Sequence, residues 1–192
     1  CNHQFQFWMN VDAIVPPHGK MGAALTAMKR VRPDKNILTI AGDGGAYAIG
    51  LGETTSAALR NENVTMFVMN NTVFGMTGGQ LAPTTMIGQK TASTPAGRNF
   101  DDNGENTDVF KLMKGMDIAY LARTSVTSPA NINRTKKAVR KAIEKQQAGK
   151  GFSLVEVLVP CPTNWHMSPV DSMKHIDEVV SKVYELGEVI DR

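Results

Sequence analysis

Two periods of apolar residue alternate along this chain, and their alternation predicts the fold. From Gly19 to Val31, "GKMGAALTAMKRV" sets Met21, Leu25 and Met28 at helical spacing among strong helix formers. Pro33, in "RPDKN", stops that helix because its ring cannot continue the hydrogen-bond ladder. Ile37 to Ala41, "ILTIA", is a short apolar run with β-branched residues and predicts a buried strand. "AIGLGETTSAALRN" predicts a helix as far as about Arg60, and Val64 to Asn70, "VTMFVMN", a second buried strand.

The stretch "GMTGGQLAPTTMIGQKTASTPAGRNFDDNGEN" then carries neither period, and a loop that long in a compact domain marks function or mobility. Beyond it the pattern predicts a short helix in "TDVFKLMKGM", a strand "AYLAR" from Ala119 and the helix "SPANINRTKKAVRKAIEKQQ". Ser128 suits its cap, Pro129 its first turn, and Ile132, Val139 and Ile143 form its apolar stripe. A strand in "FSLVEVLVP" follows, and the tail from Met173 to Val189 reads as mixed and partly helical. Strands separated by helices predict an α/β fold: a doubly wound, mostly parallel sheet, one domain over residues 1–192 with a C-terminal extension. Ligands in such sheets lie beyond the carboxyl ends of the strands.

Composition narrows the class. The chain has 192 residues, of which 42% are hydrophobic and 20% charged, ordinary globular values. The net charge of +3 is small, and the dense cluster "NRTKKAVRKAIEKQQ" reads as a solvated helix face, so nucleic acid is not an expected partner. No apolar run is long enough to cross a bilayer and no leader pattern opens the chain, so a cytoplasmic location without membrane contact is expected. Cys1 and Cys161 are the two cysteines, too few for a disulfide framework. Because the chain starts on Cys1, a preceding segment is also expected.

Candidate chemistry sits at the two strand ends. Lys20 is followed by Met21, which rules out a P-loop, and "GDGGAY" puts Tyr47 where a dinucleotide fingerprint needs glycine. What remains is Asp43 on a glycine-flanked turn and Asn71 at the end of the next strand, one crossover away. A carboxylate and an amide oxygen so placed suit Mg²⁺, which takes a few protein oxygens together with substrate phosphates. A main-chain carbonyl just after Asn71 could supply another ligand. Gly42, Gly44 and Gly45 would let the backbone approach a phosphate. Either motif alone reads as an ordinary turn; the pair does not.

"GDGGAYAIG" followed by "NN" resembles the thiamine diphosphate motif. With "PPHGKMGAAL", "NNTVFGMTGGQLAPTT", "TPAGR" and "VEVLVPCPTNW", the chain resembles the β subunit of 2-oxoacid:ferredoxin oxidoreductases, in the subgroup acting on 2-oxoglutarate or branched-chain 2-oxoacids, from Cys1 to about Pro169. The resemblance implies that this chain holds the diphosphate half of the thiamine diphosphate site. Asp43, the Asn71 side chain and the Val73 carbonyl would bind Mg²⁺; Gly42, Gly44 and Gly45 would line the diphosphate; Gly75, Met76 and Thr77 would lie near the cofactor.

His18 of "HGK" would sit near the active site, where it hydrogen-bonds diphosphate or substrate, or else it is a turn residue after Pro16 and Pro17. Cys1 and Cys161 would be the third and fourth thiolates of a four-iron four-sulfur cluster in the intact protein, after a Cys-x-x-Cys pair that this chain lacks. The implied partners are an α subunit carrying the pyrimidine-binding domain and its activating glutamate, with further γ and δ subunits left open, together with ferredoxin, a 2-oxoacid and coenzyme A. The implied activity is oxidative decarboxylation of the 2-oxoacid to an acyl-CoA. A non-oxidative decarboxylase or synthase subunit and a non-catalytic scaffold are the alternatives. The expected substrate-discriminating pocket includes the loop from Thr77 to Arg98 and parts of other subunits; Lys90 and Arg98 either meet a second substrate carboxylate or are exposed loop charges.

Overall fold

The structure, a computed structural model, describes residues 9–192, so the expected role of Cys1 lies outside the described residues. Helix α1 (Met21–Val31) leads to strand β1 (Leu38–Gly42), then to α2 (Leu51–Leu59) and β2 (Thr65–Asn70). A small antiparallel hairpin, β3 (Val73–Phe74) with β4 (Gln80–Leu81), opens the long loop, which also holds the short helix α3 (Phe100–Asn103). There follow α4 (Val109–Met113), β5 (Tyr120–Ser125), α5 (Pro129–Gln147) and β6 (Ser153–Leu158). The chain closes with α6 (Pro162–Trp165), α7 (Pro169–His175), α8 (Ser181–Val183) and β7 (Gly187–Asp191).

The sheet runs β1-β2-β6-β5-β7. Its first four strands are parallel, and β7 joins β5 antiparallel with a register shift between Leu121 and Ala122. β2 and β6 are covered on both faces, which is why they read as nearly unbroken apolar runs. One face packs Tyr47, Met66, Val68, Phe110 and Leu154; the other packs Phe67, Tyr120, Val155 and Val157 against α5.

Three expectations change. The helix foreseen from Ala48 is broken: residues Gly45–Ile49 form a wide π-helical turn, closed by the Gly50 N–H donating to the Gly45 carbonyl at 2.9 Å. A Cβ at Gly50 would lie 2.4 Å from the Gly19 carbonyl oxygen, so this position admits only glycine for packing reasons. On α5 the cap is as expected, Ser128 accepting from the Asn131 N–H, but the stripe is not. Ile132 is 38% exposed, Val139 and Ile143 are half-buried, and the buried line is Ala138, Ala142 and Gln146, because small side chains let the helix lie close on the sheet. Gln146 pairs with both backbone groups of Ile37 and with Thr65 Oγ1, as a neighbouring strand would. The tail is helical only as far as Val183 and ends in the edge strand β7, which Lys141 ties to α5 through Glu188 and Asp191.

Arg123 on β5 faces Glu156 on β6 in register, at 2.5 Å, and also holds Asp108 at 2.6 Å with its guanidinium 3.9 Å over the Phe110 ring. Side chains of Arg123 and Glu156 are 3% and 1% exposed, so each charge depends on the other. Arg123→Met is therefore expected to cost about 3–5 kcal/mol in denaturant unfolding, since it strands two carboxylates. A loss under about 1 kcal/mol, the level of an exposed pair, would contradict this.

Candidate functional site

The carboxyl ends of β1 and β2 open side by side on a cleft of about 740 Å³. Gly42 ends β1, and the chain turns helical at Asp43, at the cleft end of the sheet. A parallel strand running into a helix makes this end electropositive for anions. β2 ends at Asn70, and Asn71 to Val73 cross the same end before the hairpin.

There three oxygens converge. Asn71 Oδ1 lies 2.7 Å from the Val73 carbonyl oxygen and 3.2 Å from Asp43 Oδ1. Exchanging the amide oxygen and nitrogen would turn both contacts into hydrogen bonds. The Val73 N–H, however, donates to Asn71 Oδ1 at 3.3 Å, which favours oxygen on that side. Octahedral Mg²⁺ with oxygens at 2.0–2.1 Å spaces neighbouring oxygens about 2.9 Å apart. The observed spacings bracket that value, so the donor set fits a hard divalent cation.

Charge supports the same fit. Asp43 is 2% exposed, and burial pushes its carboxyl up to about 7. Hydrogen bonds from Thr84 and the Gly44 N–H pull it back, and the negative charge of Glu156 pushes it further up. Asp108 and Glu156 share the guanidinium of Arg123, and the negative charge of Glu156 also acts on Asp43. A cation beside Asp43 would offset the excess negative charge.

The glycines have separate reasons. At Gly42 an added Cβ meets nothing within 4 Å, so that position is open. At Gly44 it would strike the Phe74 ring at 2.3 Å, and at Gly45 it would approach Met21 Cε at 3.2 Å and His18 Cε1 at 3.4 Å. Gly44 and Gly45 therefore serve close packing of protein on protein as much as access for a ligand. All three line the cleft, with His18, Asn71, Val73, Gly75, Met76 and Thr77. His18 is exposed and stands edge-on to Phe74, ring centroids 6.3 Å apart. Met76 is 56% exposed at the mouth.

Cys161 also lines the cleft, its Sγ accepting from Asn164 Nδ2 at 3.2 Å. Among the described residues it is the single thiol, and no group of three or more His, Cys, Asp or Glu side chains there is placed to hold a metal. The described residues thus do not by themselves fit a four-thiolate cluster.

The long loop departs from expectation. Arg98 is 5% exposed and donates to backbone carbonyls, so it is neither an exposed charge nor a substrate contact. Lys90 is exposed and does not line the cleft; no lysine or arginine does among the described residues. Sequence reading missed Thr84, whose hydroxyl donates to Asp43 Oδ2, and Trp165, whose Nε1 donates to the Asn71 carbonyl at 3.2 Å. It also missed Thr72, held at φ +61°, a conformation rare for a β-branched residue, by Thr85 and Gln89. Only the repeated threonines of "APTT" hinted at any of these.

Asp43→Asn is expected to abolish divalent cation binding by isothermal titration. It should also raise the cation-free melting midpoint, by about 2–4 °C for each kcal/mol of carboxylate desolvation relieved. A lowered midpoint with intact cation affinity would refute both halves.

Residues 2–157 match the family described as thiamine pyrophosphate enzyme, C-terminal TPP binding domain. Ketoisovalerate oxidoreductase subunit VorA of Methanothermobacter thermautotrophicus is 37% identical over 187 residues, 97% of this chain and 39% of that protein. The 2-oxoglutarate synthase subunit KorB of Archaeoglobus fulgidus is 36% identical over 179 residues, 93% of this chain and 62% of that protein. The chain thus spans about two-fifths to three-fifths of the length of these relatives. Among solved structures, 2-oxoglutarate:ferredoxin oxidoreductase from Magnetococcus marinus, with 2-oxoglutarate, coenzyme A and succinyl-CoA bound, shares the fold at TM-score 0.71 and 23% identity, covering 91% of this chain and 63% of that one.

Proposed function

The chain belongs to the thiamine pyrophosphate enzymes through their C-terminal cofactor-binding domain, and from that premise we propose that it is the diphosphate-binding part of a 2-oxoacid:ferredoxin oxidoreductase. The observation that carries this reading is the meeting of Asp43, Asn71 and the Val73 carbonyl in one oxygen cluster at the end of β1 and β2. These groups would hold Mg²⁺, and the N–H groups of the helical turn after Gly42 would hold the diphosphate. Gly75, Met76 and Thr77 would border the cofactor. His18, at the rim of the cleft, would donate to diphosphate or substrate.

Thiamine diphosphate, when bound, supplies a nucleophilic carbon for the 2-oxo group and a sink for the electrons left when carbon dioxide departs. This chain's part is to fix the diphosphate end, to neutralise its charge through the cation, and to wall the cleft with apolar side chains such as Met21, Leu25, Leu38 and Val159 that exclude water. The net change is a 2-oxoacid and coenzyme A converted to an acyl-CoA, carbon dioxide, one proton and two electrons. The electrons would leave to ferredoxin, and Cys161, with Cys1, would contribute thiolates to an iron–sulfur cluster only in the complete assembly. We draw no step through that cluster.

The pyrimidine-binding domain and its glutamate would come from an α subunit, with γ and δ subunits as further candidate members of the assembly. Residues 1–192 would act as one cofactor domain, its C-terminal extension bracing the sheet edge. No helix among the described residues is long and apolar enough to cross a membrane, which suits the cytoplasmic setting we propose. Because no lysine or arginine among the described residues lines the cleft, recognition of a second substrate carboxylate would fall to another subunit.

The deciding measurement is reduction of ferredoxin or a viologen dye by the assembled complex. It is expected to require a 2-oxoacid, coenzyme A and thiamine diphosphate together, and to be absent for this chain alone. Full-rate carbon dioxide release without acceptor would instead establish a non-oxidative decarboxylase or synthase. Failure of the complex to bind thiamine diphosphate would leave a scaffold.

A further inference from the structure

Asp43 has two oxygens, and only one of them faces Asn71. The other, Oδ2, accepts from the Thr84 hydroxyl, with Thr84 itself 1% exposed. A carboxylate free to turn about its last torsion could offer either oxygen or both to a cation; a hydroxyl fixed on Oδ2 removes that freedom. Thr84 lies in no helix or strand, so its position must come from elsewhere.

Arg98 supplies it. Its Nη1 donates to the carbonyls of Ala82, Pro83 and Thr85 at 3.3, 2.8 and 2.7 Å. Nε donates to Gly104 at 3.0 Å, and Nη2 to Asn103 and Glu105 at 3.1 and 2.7 Å. No carboxylate is among these partners, so the buried charge is stabilised by carbonyl dipoles gathered from both arms of the loop. The turn is closed further by the Thr85 N–H donating to Ala82 at 3.1 Å and by Thr85 Oγ1 accepting from the Ala82 N–H at 2.9 Å. On the far side the Tyr184 hydroxyl donates to the Thr84 carbonyl at 2.7 Å. Thr84 is thus held from the front by Arg98 and from behind by the C-terminal arm.

We infer that Thr84 is a positioning residue for the cation site, aiming Asp43 Oδ1 at the shared ion, and that Arg98 is the group that holds Thr84 on Asp43. The inference rests on the proposed cation site and turns the loop from substrate pocket into its support. Groups that orient a metal ligand through its second atom commonly matter about 10–100-fold in affinity. Lysine could not replace Arg98, since an ammonium brings three donors from one point where the planar fork brings five.

The test is Mn²⁺ binding in the presence of thiamine diphosphate, read as loss of the free-ion electron paramagnetic resonance signal, with the full chain in its native assembly. Thr84→Val is expected to weaken Mn²⁺ binding about 10–100-fold. Thr84→Ser, which keeps the hydroxyl and drops the methyl, should bind at close to parent affinity, and Arg98→Lys should weaken binding in the same direction as Thr84→Val. A Thr84→Val chain that binds as tightly as the parent overturns the inference. So does a Thr84→Ser chain as weak as Thr84→Val, because volume rather than the hydrogen bond would then be the cause. Unchanged affinity in Arg98→Lys removes Arg98 from the device. A parent that binds neither Mn²⁺ nor thiamine diphosphate overturns the cation site itself, a result separable from the other three.

Discussion

A carboxylate buried at the end of a parallel strand, beside a second buried carboxylate, is the constraint around which this molecule is arranged. Asp43 could be neutral there: burial, with the charge of Glu156, pushes its carboxyl up to about 7 against the hydrogen bonds that pull it down. The Thr84 hydroxyl and the Gly44 N–H favour its charge, whereas Glu156 and the two oxygens facing its free side oppose it. Three oxygens brought together without a hydrogen between them repel one another. A cation among them would relieve that repulsion, which is the basis of the proposed Mg²⁺ site.

Much of the chain beyond the sheet is devoted to turns that hold these oxygens in place. The crossing Asn71–Val73 strains Thr72 into the left-handed region, and Thr85, Gln89 and Trp165 each bond to this crossing or its neighbour. Asn164 joins the Gly75 carbonyl to Cys161 Sγ, so the segment that follows β6 is fastened to the loop that follows β2. Long loops of this kind are often assigned to substrate choice. Here Thr84, Thr85 and Arg98 are buried, and with Gln89 they hold the loop to itself, to Thr72 and to Asp43.

Beneath the site the sheet uses the same logic at a deeper level. Arg123 and Glu156 meet across β5 and β6, with Asp108 and the Phe110 ring completing the surroundings of the guanidinium. Tyr47, in the π-helical turn, is fully buried, and its hydroxyl finds no partner among the described residues. Its pKa is pushed well up, first by burial and then by the negative charge of Glu156. The wide turn that buries Tyr47 also brings Gly44 and Gly45 against Phe74, Met21 and His18. Core packing and the floor of the cleft are therefore one continuous object.

The α/β order, the parallel sheet, the cap of α5 and the pairing of Asp43 with Asn71 were legible in the residues, because each rests on local rules: apolar period, capping side chains, glycine-flanked turns at strand ends. Hidden were the roles of Thr84, Arg98, Gln146 and Trp165, and the edge strand at Gly187–Asp191. Each depends on a partner far along the chain, and a threonine or arginine looks the same in sequence whether it faces water or an aspartate forty residues away. The buried line of α5 was misread for a related reason: large side chains announce burial, yet the closest helix–sheet approach is made by small ones. Sequence by itself determined the alternation of helices and strands of the sheet and put an aspartate and an asparagine at two neighbouring strand ends, since those follow from neighbours in the chain. Only the tertiary structure decided which oxygen of Asp43 is free, because that depends on a hydroxyl delivered from a loop whose position is set by hydrogen bonds that no local pattern encodes.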